Sequence, residues 1–526
     1  MTATATAAEA NPELASLAHT LSSVDLSSAS NPAHNDAEPV WSTLSRRGAA
    51  GGKNFNLPEG LKRMLANTYD PVTNPDGIIN AGIADNSLCR PELLDYLLAK
   101  DRLQLSHADL TYADRFTSST KLLEAIADLF NQRQPDWPDS TASPLPVEKV
   151  LPDHIAIASG ATGILDELFW NICDVGDGVL LSAPYYNAFD NDLTNRAGAR
   201  IVEVTVPLPE EGSSESLALS AFAKQTVDAY EHAYKKATAD GITVRALLLC
   251  NPHNPTGTIY PRDTVIALAT LAGKYKLHFV SDEIYARSCF VSRGVPHPSV
   301  FHSILSVDTA KECGLDPAYV HVVTSASKDF AVNGFRLGVL VSQHNVALQR
   351  AMGAVGLFSQ SASPAAALWR TWLRDAPFLE WYLAENRRRL GRAYAHALAF
   401  FEHYNVPFYP SNAGFFLLVY LGKYAGIEPR MRDEEARQRE AKLVDRLIDA
   451  GVLVSPGTMY HHPKAGWFRF TFSQEPKTLK LALRRLEKVM GVEEAESFED
   501  GRAVLDFRVG AASVPGAEGW SKKLTG

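Results

Sequence analysis

Cysteine is scarce in this chain of 526 residues: there are five, Cys89, Cys173, Cys250, Cys289 and Cys313. They are scattered, odd in number and form no Cys-x-x-Cys pair. That excludes a disulfide framework and a cysteine-based metal site, and it suits a reducing compartment. Such cysteines are expected buried as small apolar residues, with Cys250 ending a buried strand after Ala-Leu-Leu-Leu. Neither Lys nor Arg occurs in the first 45 residues, so the basic start of a secretory signal and the arginines of a presequence are missing there. Long apolar runs are missing too, since the longest, Phe415 to Leu421, is far too short to span a bilayer. The ending Lys-Leu-Thr-Gly is no peroxisomal address. A surplus of positive charge is also absent: 51 Lys and Arg face 60 Asp and Glu, a net charge of -9. A general nucleic-acid binder needs a basic face to displace counterions, so that class is excluded. These absences predict a cytoplasmic protein with no metal, no membrane segment and no nucleic-acid partner.

What is present is an ordinary globular composition, 46% hydrophobic and 21% charged, able to build a large core. Residues 1–45 read as a flexible leader of small polar side chains, and residues 493–526 as a loose tail. Between them, short apolar runs alternate with amphipathic stretches of helical length. HIAIAS, GVLLSAP, ARIVEVTV, VRALLLCNP, LHFVSDE, AYVHVVTSAS and RLGVLVS read as strands. DELFWNIC, LSAFAKQTVDAYEHAYKKA and TVIALATLAGKY carry apolar residues at three- and four-residue steps and read as helices. Strands that are apolar throughout, separated by helices, imply an α/β fold with a parallel or mixed sheet covered on both faces. After Gly338 the texture becomes α+β, with long charged helices and the strand candidates FFLLVYL and WFRFTFS. The run Arg387 to Arg389 reads as a solvated helix face.

Ligands of α/β sheets sit beyond the carboxyl ends of the strands, so the residues just after each strand are the ones to weigh. HIAIAS leads into GATGILDEL, whose helix-opening backbone N–H groups could hold a phosphate or could simply pack closely. VRALLLC leads into NPHNPTG, a stiff turn in which Asn254 either braces the loop or faces a ligand. LHFV leads into SDEIYA, where a carboxylate, Asp282, ends a buried strand and would need a cationic partner. HVVT leads into SASKDFAVNGFRLG, which sets Lys328 among small residues eight positions before Arg336.

In this order, G-A-T-G, N-P-x-N-P-x-G, S-D-E-I-Y and S-x-S-K-x(7)-R resemble the pyridoxal-phosphate enzymes of the class I/II aminotransferase family, from about Gly77 to Phe472. The resemblance implies pyridoxal 5′-phosphate as cofactor and the fold-type I architecture, a large domain with a mainly parallel sheet between helices plus a smaller α+β domain. It implies the boundaries 46–105 and 345–492 for the two parts of the small domain and 106–344 for the large one. It makes Lys328 the Schiff-base lysine and Cα-proton acceptor, a role that a lowered amine pKa would suit. Ala161, Thr162, Ser325, Ser327 and Arg336 would bind the phosphate. Asp282 would pair with the ring nitrogen, Tyr285 and Asn254 would hydrogen-bond the ring's phenolic oxygen, and Tyr186 would stack on the ring. Arg469, on a strand among aromatics, resembles the clamp on the substrate carboxylate.

GIINAGIADNSLC, SAPYYNAF, KDFAVNGFRLG and PGTMYHHPKAGWFRFTFS are similar to the branch containing the 1-aminocyclopropane-1-carboxylate (ACC) synthases. That implies a carbon–sulfur lyase acting on S-adenosylmethionine or a related sulfur amino acid. The alternatives are an aminotransferase on the same scaffold and a catalytically silent relative. The family's G-L-A-E-N stands here as Gly82 to Asn86, so Asp85 replaces a longer acid at a position expected to bind substrate. A homodimer with a shared active site is implied, with either Tyr112 or Phe116 reaching the neighbouring subunit.

Overall fold

The computed structural model describes residues 43–54, 57–100, 102–133, 144–206, 223–292 and 299–492. Most of the expected leader and all of the expected tail lie outside them. The chain divides into two compact units, Met1–Leu57 and Pro58–Gly526. The described part of the first carries one short helix, Arg46–Asn54. The second holds everything that follows.

Seven strands form its main sheet: β1 (Ile155–Ser159), β2 (Gly178–Ala183), β3 (Arg200–Thr205), β4 (Val244–Cys250), β5 (His278–Asp282), β6 (Val320–Ser325) and β7 (Leu337–Val341), in the order β1-β7-β6-β5-β4-β2-β3. Strand β7 runs antiparallel to both its neighbours, and the other pairings are parallel. The reason these segments read as apolar throughout is plain in the packing. Alternate residues point to opposite faces. Ile157, Leu247, Leu249, Phe279 and Val322 join one buried cluster. Ala158, Ala246, Leu248, Val280 and Val323 join another, with Leu165 and Leu168 of the following helix. All five cysteines are buried and free, and Cys250 closes β4.

Helices α1 (Arg90–Leu98), α2 (Thr120–Asn131), α3 (Gly160–Ile172) and α4 (Phe189–Thr194) precede the crossovers α5 (Ala223–Ala239) and α6 (Arg262–Tyr275). Beyond the sheet come α7 (Ser363–Arg374) and the 28-residue α8 (Ala376–His403). A second, antiparallel sheet follows, built from β8 (Phe416–Tyr420), β9 (Ser455–Pro456) and β10 (Trp467–Thr471) in the order β9-β10-β8. Its core is aromatic, with Phe415, Phe416, Phe468 and Phe470 packed against Tyr394, Phe400 and Phe401 of α8. No helix among the described residues is long and apolar enough to cross a membrane.

The arginine run on α8 departs from the sequence reading. Arg387 and Arg389 are buried rather than solvated. Arg389 donates to Glu385 Oε1 at 2.6 Å, to Glu92 Oε1 at 2.5 Å and to the carbonyl of Leu88 at 2.5 Å. The helix lies against other elements along much of its length, and the charges of Arg388 and Arg389 are matched by acids. One of those acids, Glu92, sits on α1, almost 300 positions away.

Candidate active site

The site forms where strand ends of the main sheet come level. Cys250 pairs with Asp282, Asp282 with Val323, Ser325 with Gly338, and Ser159 with Leu337. The carboxyl ends of β1, β4, β5 and β6 therefore share one edge with the start of antiparallel β7. Strand β1 passes directly into α3 at Gly160, which has φ +75, a conformation that glycine adopts without a Cβ penalty. A Cβ there would lie 2.1 Å from Arg336 Nη2, and one on Gly338 would lie 2.1 Å from the Gly160 carbonyl oxygen. Two glycines thus let the guanidinium of Arg336 close over the start of α3. Arg336 itself is left-handed at φ 55, and donates to the carbonyls of Asn333 at 2.8 Å and Ser159 at 3.3 Å. The first-turn N–H groups of α3, including those of Ala161 and Thr162, have no partner within the helix.

Asp282 ends β5 buried, and its Oδ1 accepts the N–H of Ile284 at 3.2 Å. Burial outweighs that bond and pushes its carboxyl up to about 7. Lys328, in the turn after β6, donates to the carbonyl of Ala84 at 2.6 Å. Burial first, then the charge of Arg469, brings its amine down to about 8 against a weaker opposing pull from Asp85. Burial raises the phenol of Tyr186 to about 12 and pushes that of Tyr285 well above its ordinary value. Tyr285 is wedged edge-on between Phe415 and Phe416.

Arg469 crosses from the second sheet toward the first. Its Nη1 donates to Asn254 Oδ1 at 2.8 Å and its Nη2 to the Gly82 carbonyl at 2.6 Å. The guanidinium carbon lies 4.5 Å from the ring centre of Tyr460 and 4.8 Å from that of Phe416. Its Nε is buried without a hydrogen-bond partner.

Ala161, Thr162, Tyr186, Asn254, Asp282, Tyr285, Ser327, Lys328 and Arg336 line a single cavity of about 170 Å³. Ser325 stands behind the wall, its Oγ accepting the Ser327 N–H at 3.1 Å. Asp85 is one residue removed as well. It pairs with Arg90 at 2.6 Å and accepts from Asn333, which lines the cavity, at 3.2 Å. Tyr112 and Phe116 lie apart from the cavity wall, both exposed, with rings stacked at 5.9 Å. Sequence reasoning missed Asp192 and Asn333. Asp192, on α4, is a second buried carboxyl in the cavity wall, raised to about 7 by burial and by the charge of Asp282. Its only signal was an acid following the aromatic pair in SAPYYNAFDND. No metal-binding group of acids, histidines and cysteines occurs among the described residues.

A family model described as aminotransferase class I and II matches residues 93–486. The chain is 32% identical to the probable aminotransferase gliI of Aspergillus fumigatus, over 79% of this chain and 90% of that one. It is 30% identical to 1-aminocyclopropane-1-carboxylate synthase 2 of Arabidopsis thaliana, over 83% of each. Among solved structures, a Thermus thermophilus aspartate aminotransferase double mutant matches with a TM-score of 0.58 at 22% identity, covering 85% of this chain and 99% of that one. Pyrococcus protein-A1 matches with a TM-score of 0.60 at 19% identity, covering 83% and 96%. At such identities the structural likeness shows the fold, a mainly parallel sheet between helices.

Proposed function

Because the chain belongs to the aminotransferase class I and II family and is a pyridoxal-phosphate-dependent enzyme, we propose that it takes the Cα proton from an α-amino acid and cleaves a carbon–sulfur bond in that substrate's side chain. When bound, pyridoxal 5′-phosphate supplies an aldehyde for the amine and a pyridine ring that withdraws electrons. The residues of the cavity fit that group. Ala161 and Thr162 would offer N–H groups to the phosphate, and Arg336 a guanidinium, where a Cβ on Gly160 would collide. Asp282 would hold the ring nitrogen, and a cation there would return its buried carboxyl to the charged form. Tyr186 would cover the ring, with Tyr285 and Asn254 at its edge. Arg469, with its unpartnered Nε and its fork now on Asn254 and Gly82, would take the substrate carboxylate.

The observation that carries the reading is Lys328, whose amine is brought to about 8 on the same cavity wall as Asp282. A base poised near working pH is matched to proton abstraction. Lys328 Nζ accepts the Cα proton, the side-chain carbon–sulfur bond breaks, and its electron pair leaves on sulfur. Asp85 Oδ2 is already neutralised by Arg90 at 2.6 Å. That favours a neutral sulfur side chain over a sulfonium cation among the possible substrates. A second reading, transamination, is favoured by relatives 32% and 33% identical that are named probable aminotransferases.

Incubation with a panel of amino acids that includes S-adenosylmethionine and cysteine conjugates decides between them. Release of a thiol or thioether, with the cofactor absorbance unchanged at the end, supports the lyase. Lasting loss of that absorbance, restored by a 2-oxo acid, makes the enzyme an aminotransferase. Failure of a Lys328→Ala variant to lose covalent cofactor would remove the basis of both. The same reading carries a homodimer, supported by the exposed apolar side chains of Leu110, Tyr112, Phe116 and Phe358.

A further inference from the structure

Next to Lys328 stands a carboxylate that neither the cavity nor the chemistry above employs. Asp329 is 1% exposed and does not line the cavity. Its Oδ2 accepts the backbone N–H of Arg287 at 2.9 Å, and its Oδ1 accepts the hydroxyl of Ser288 at 2.7 Å. Both donors come from the turn that carries Tyr285. That turn is closed on itself by the Ser288 N–H on the Tyr285 carbonyl, at 3.0 Å. The lysine turn is closed in the same way, by the Ala331 N–H on the Lys328 carbonyl, at 3.0 Å. The backbone ladder between β5 and β6 runs out just before them, at the Glu283 N–H on the Val323 carbonyl. Past that point the Asp329 carboxylate continues the join with a side chain.

We propose that Asp329 is a positioning residue, a staple that fixes the turn bearing Lys328 against the turn bearing Tyr285. A carboxylate suits this task because one rigid group offers an acceptor to a backbone donor and to a side-chain donor together. Its burial is bearable because the Arg287 guanidinium lies nearby and opposes the upward push on its proton affinity. The far side of the staple is anchored too. The Gly414 N–H donates to the Ser288 carbonyl at 3.1 Å, two residues before Phe416, whose ring lies beneath Arg469. Asp329 thus ties the lysine turn to the strand that floors the carboxylate clamp. Loss of the staple leaves both turns formed and lets them shift against each other. A shift on the order of 1 Å at a reacting group can cost about a hundredfold in rate.

The inference rests on Lys328 being the reactive lysine, and its test separates the two. In cofactor-free protein, labelling of Lys328 by an amine-directed acylating reagent is followed against pH by mass spectrometry. D329N keeps the size but cannot accept both donors, and S288A removes one donor only. The staple predicts a displaced labelling midpoint for Lys328 in both variants. In the loaded enzyme it predicts kcat lower by roughly 10- to 100-fold in D329N, with KM within about twofold. The double variant should be no worse than D329N, since both changes remove one contact. Wild-type labelling and wild-type kcat in folded S288A and D329N overturn it, and S288A alone decides if D329N does not fold. If the wild-type lysine never holds the cofactor, the functional reading falls, while the labelling still answers for the staple.

Discussion

In the proposed reaction Lys328 would act as a neutral amine, so the pH at which it sheds its proton would set when it could work. An exposed lysine ionises near 10.4. Here burial and the charge of Arg469 favour the neutral form and bring the amine to about 8. The sign follows directly: capture of the cofactor's aldehyde by cofactor-free protein should speed up as pH rises, with its midpoint near 8 and a plateau by about 10. Stopped-flow absorbance measures this, and a rate still climbing steeply above pH 10 would show an ordinary solvated lysine instead. The same depression bears on stability. Between about 8 and 10.5 the unfolded chain binds the proton that the folded chain has shed, so the contribution of Lys328 to stability rises with pH across that window. The lysine was legible in the sequence because its small neighbours and the arginine eight positions on form a pattern. Asp192 was not. An acid in a short helix looks solvated until the cavity wall is seen to bury it.

Helices and strands differ in what their sequences reveal. The inner strands of the main sheet were readable because both faces are covered, which makes their runs largely apolar, whereas edge strand β3 leaves Arg200, Glu203 and Thr205 exposed. Levelling of their carboxyl ends was not readable, since register is set by pairing across the sheet rather than by any one strand. Helix α8 shows the opposite failure. Three consecutive arginines satisfy every local criterion for a wet face, yet Arg389 is held by Glu385 one turn back and by Glu92 on α1. The pairing of α1 with α8 is a long-range fact that no window of sequence contains. It also makes a strong prediction for the element. Arg389→Ala leaves half-buried Glu92 without its cation and buried Glu385 with Arg388 alone, and breaking a largely buried pair in this way costs about 3 kcal/mol. Denaturant unfolding should show that loss at unchanged m-value. Replacing exposed Lys62, whose partner Glu59 is also exposed, should change stability by less than about 1 kcal/mol.

At the scale of the whole molecule, the candidate site draws on segments from one end of the fold to the other. The carbonyls of Gly82 and Ala84 hold Arg469 and Lys328, which stand 141 positions apart in the chain. An active site spread this widely is sensitive to anything that fixes the surface around it. One surface is conspicuously apolar. Leu110, Tyr112, Phe116, Leu357 and Phe358 are all exposed, Phe358 at 89%, and Gln360 ties the two segments together by donating to the Phe116 carbonyl at 2.6 Å. Water rarely faces that many large apolar side chains from neighbouring segments unless a partner covers them. A second copy of the chain would do so, and would bring its own Tyr112 and Phe116 along. Sedimentation should then give about twice the 57.4 kDa of one chain. Phe358→Asp, placing a charge where the apolar surface is most exposed, should shift the protein toward monomer and weaken cofactor binding with it. A wild-type protein that sediments as a monomer refutes the dimer. A monomeric variant with full cofactor affinity would keep the dimer and show that each chain completes its own site.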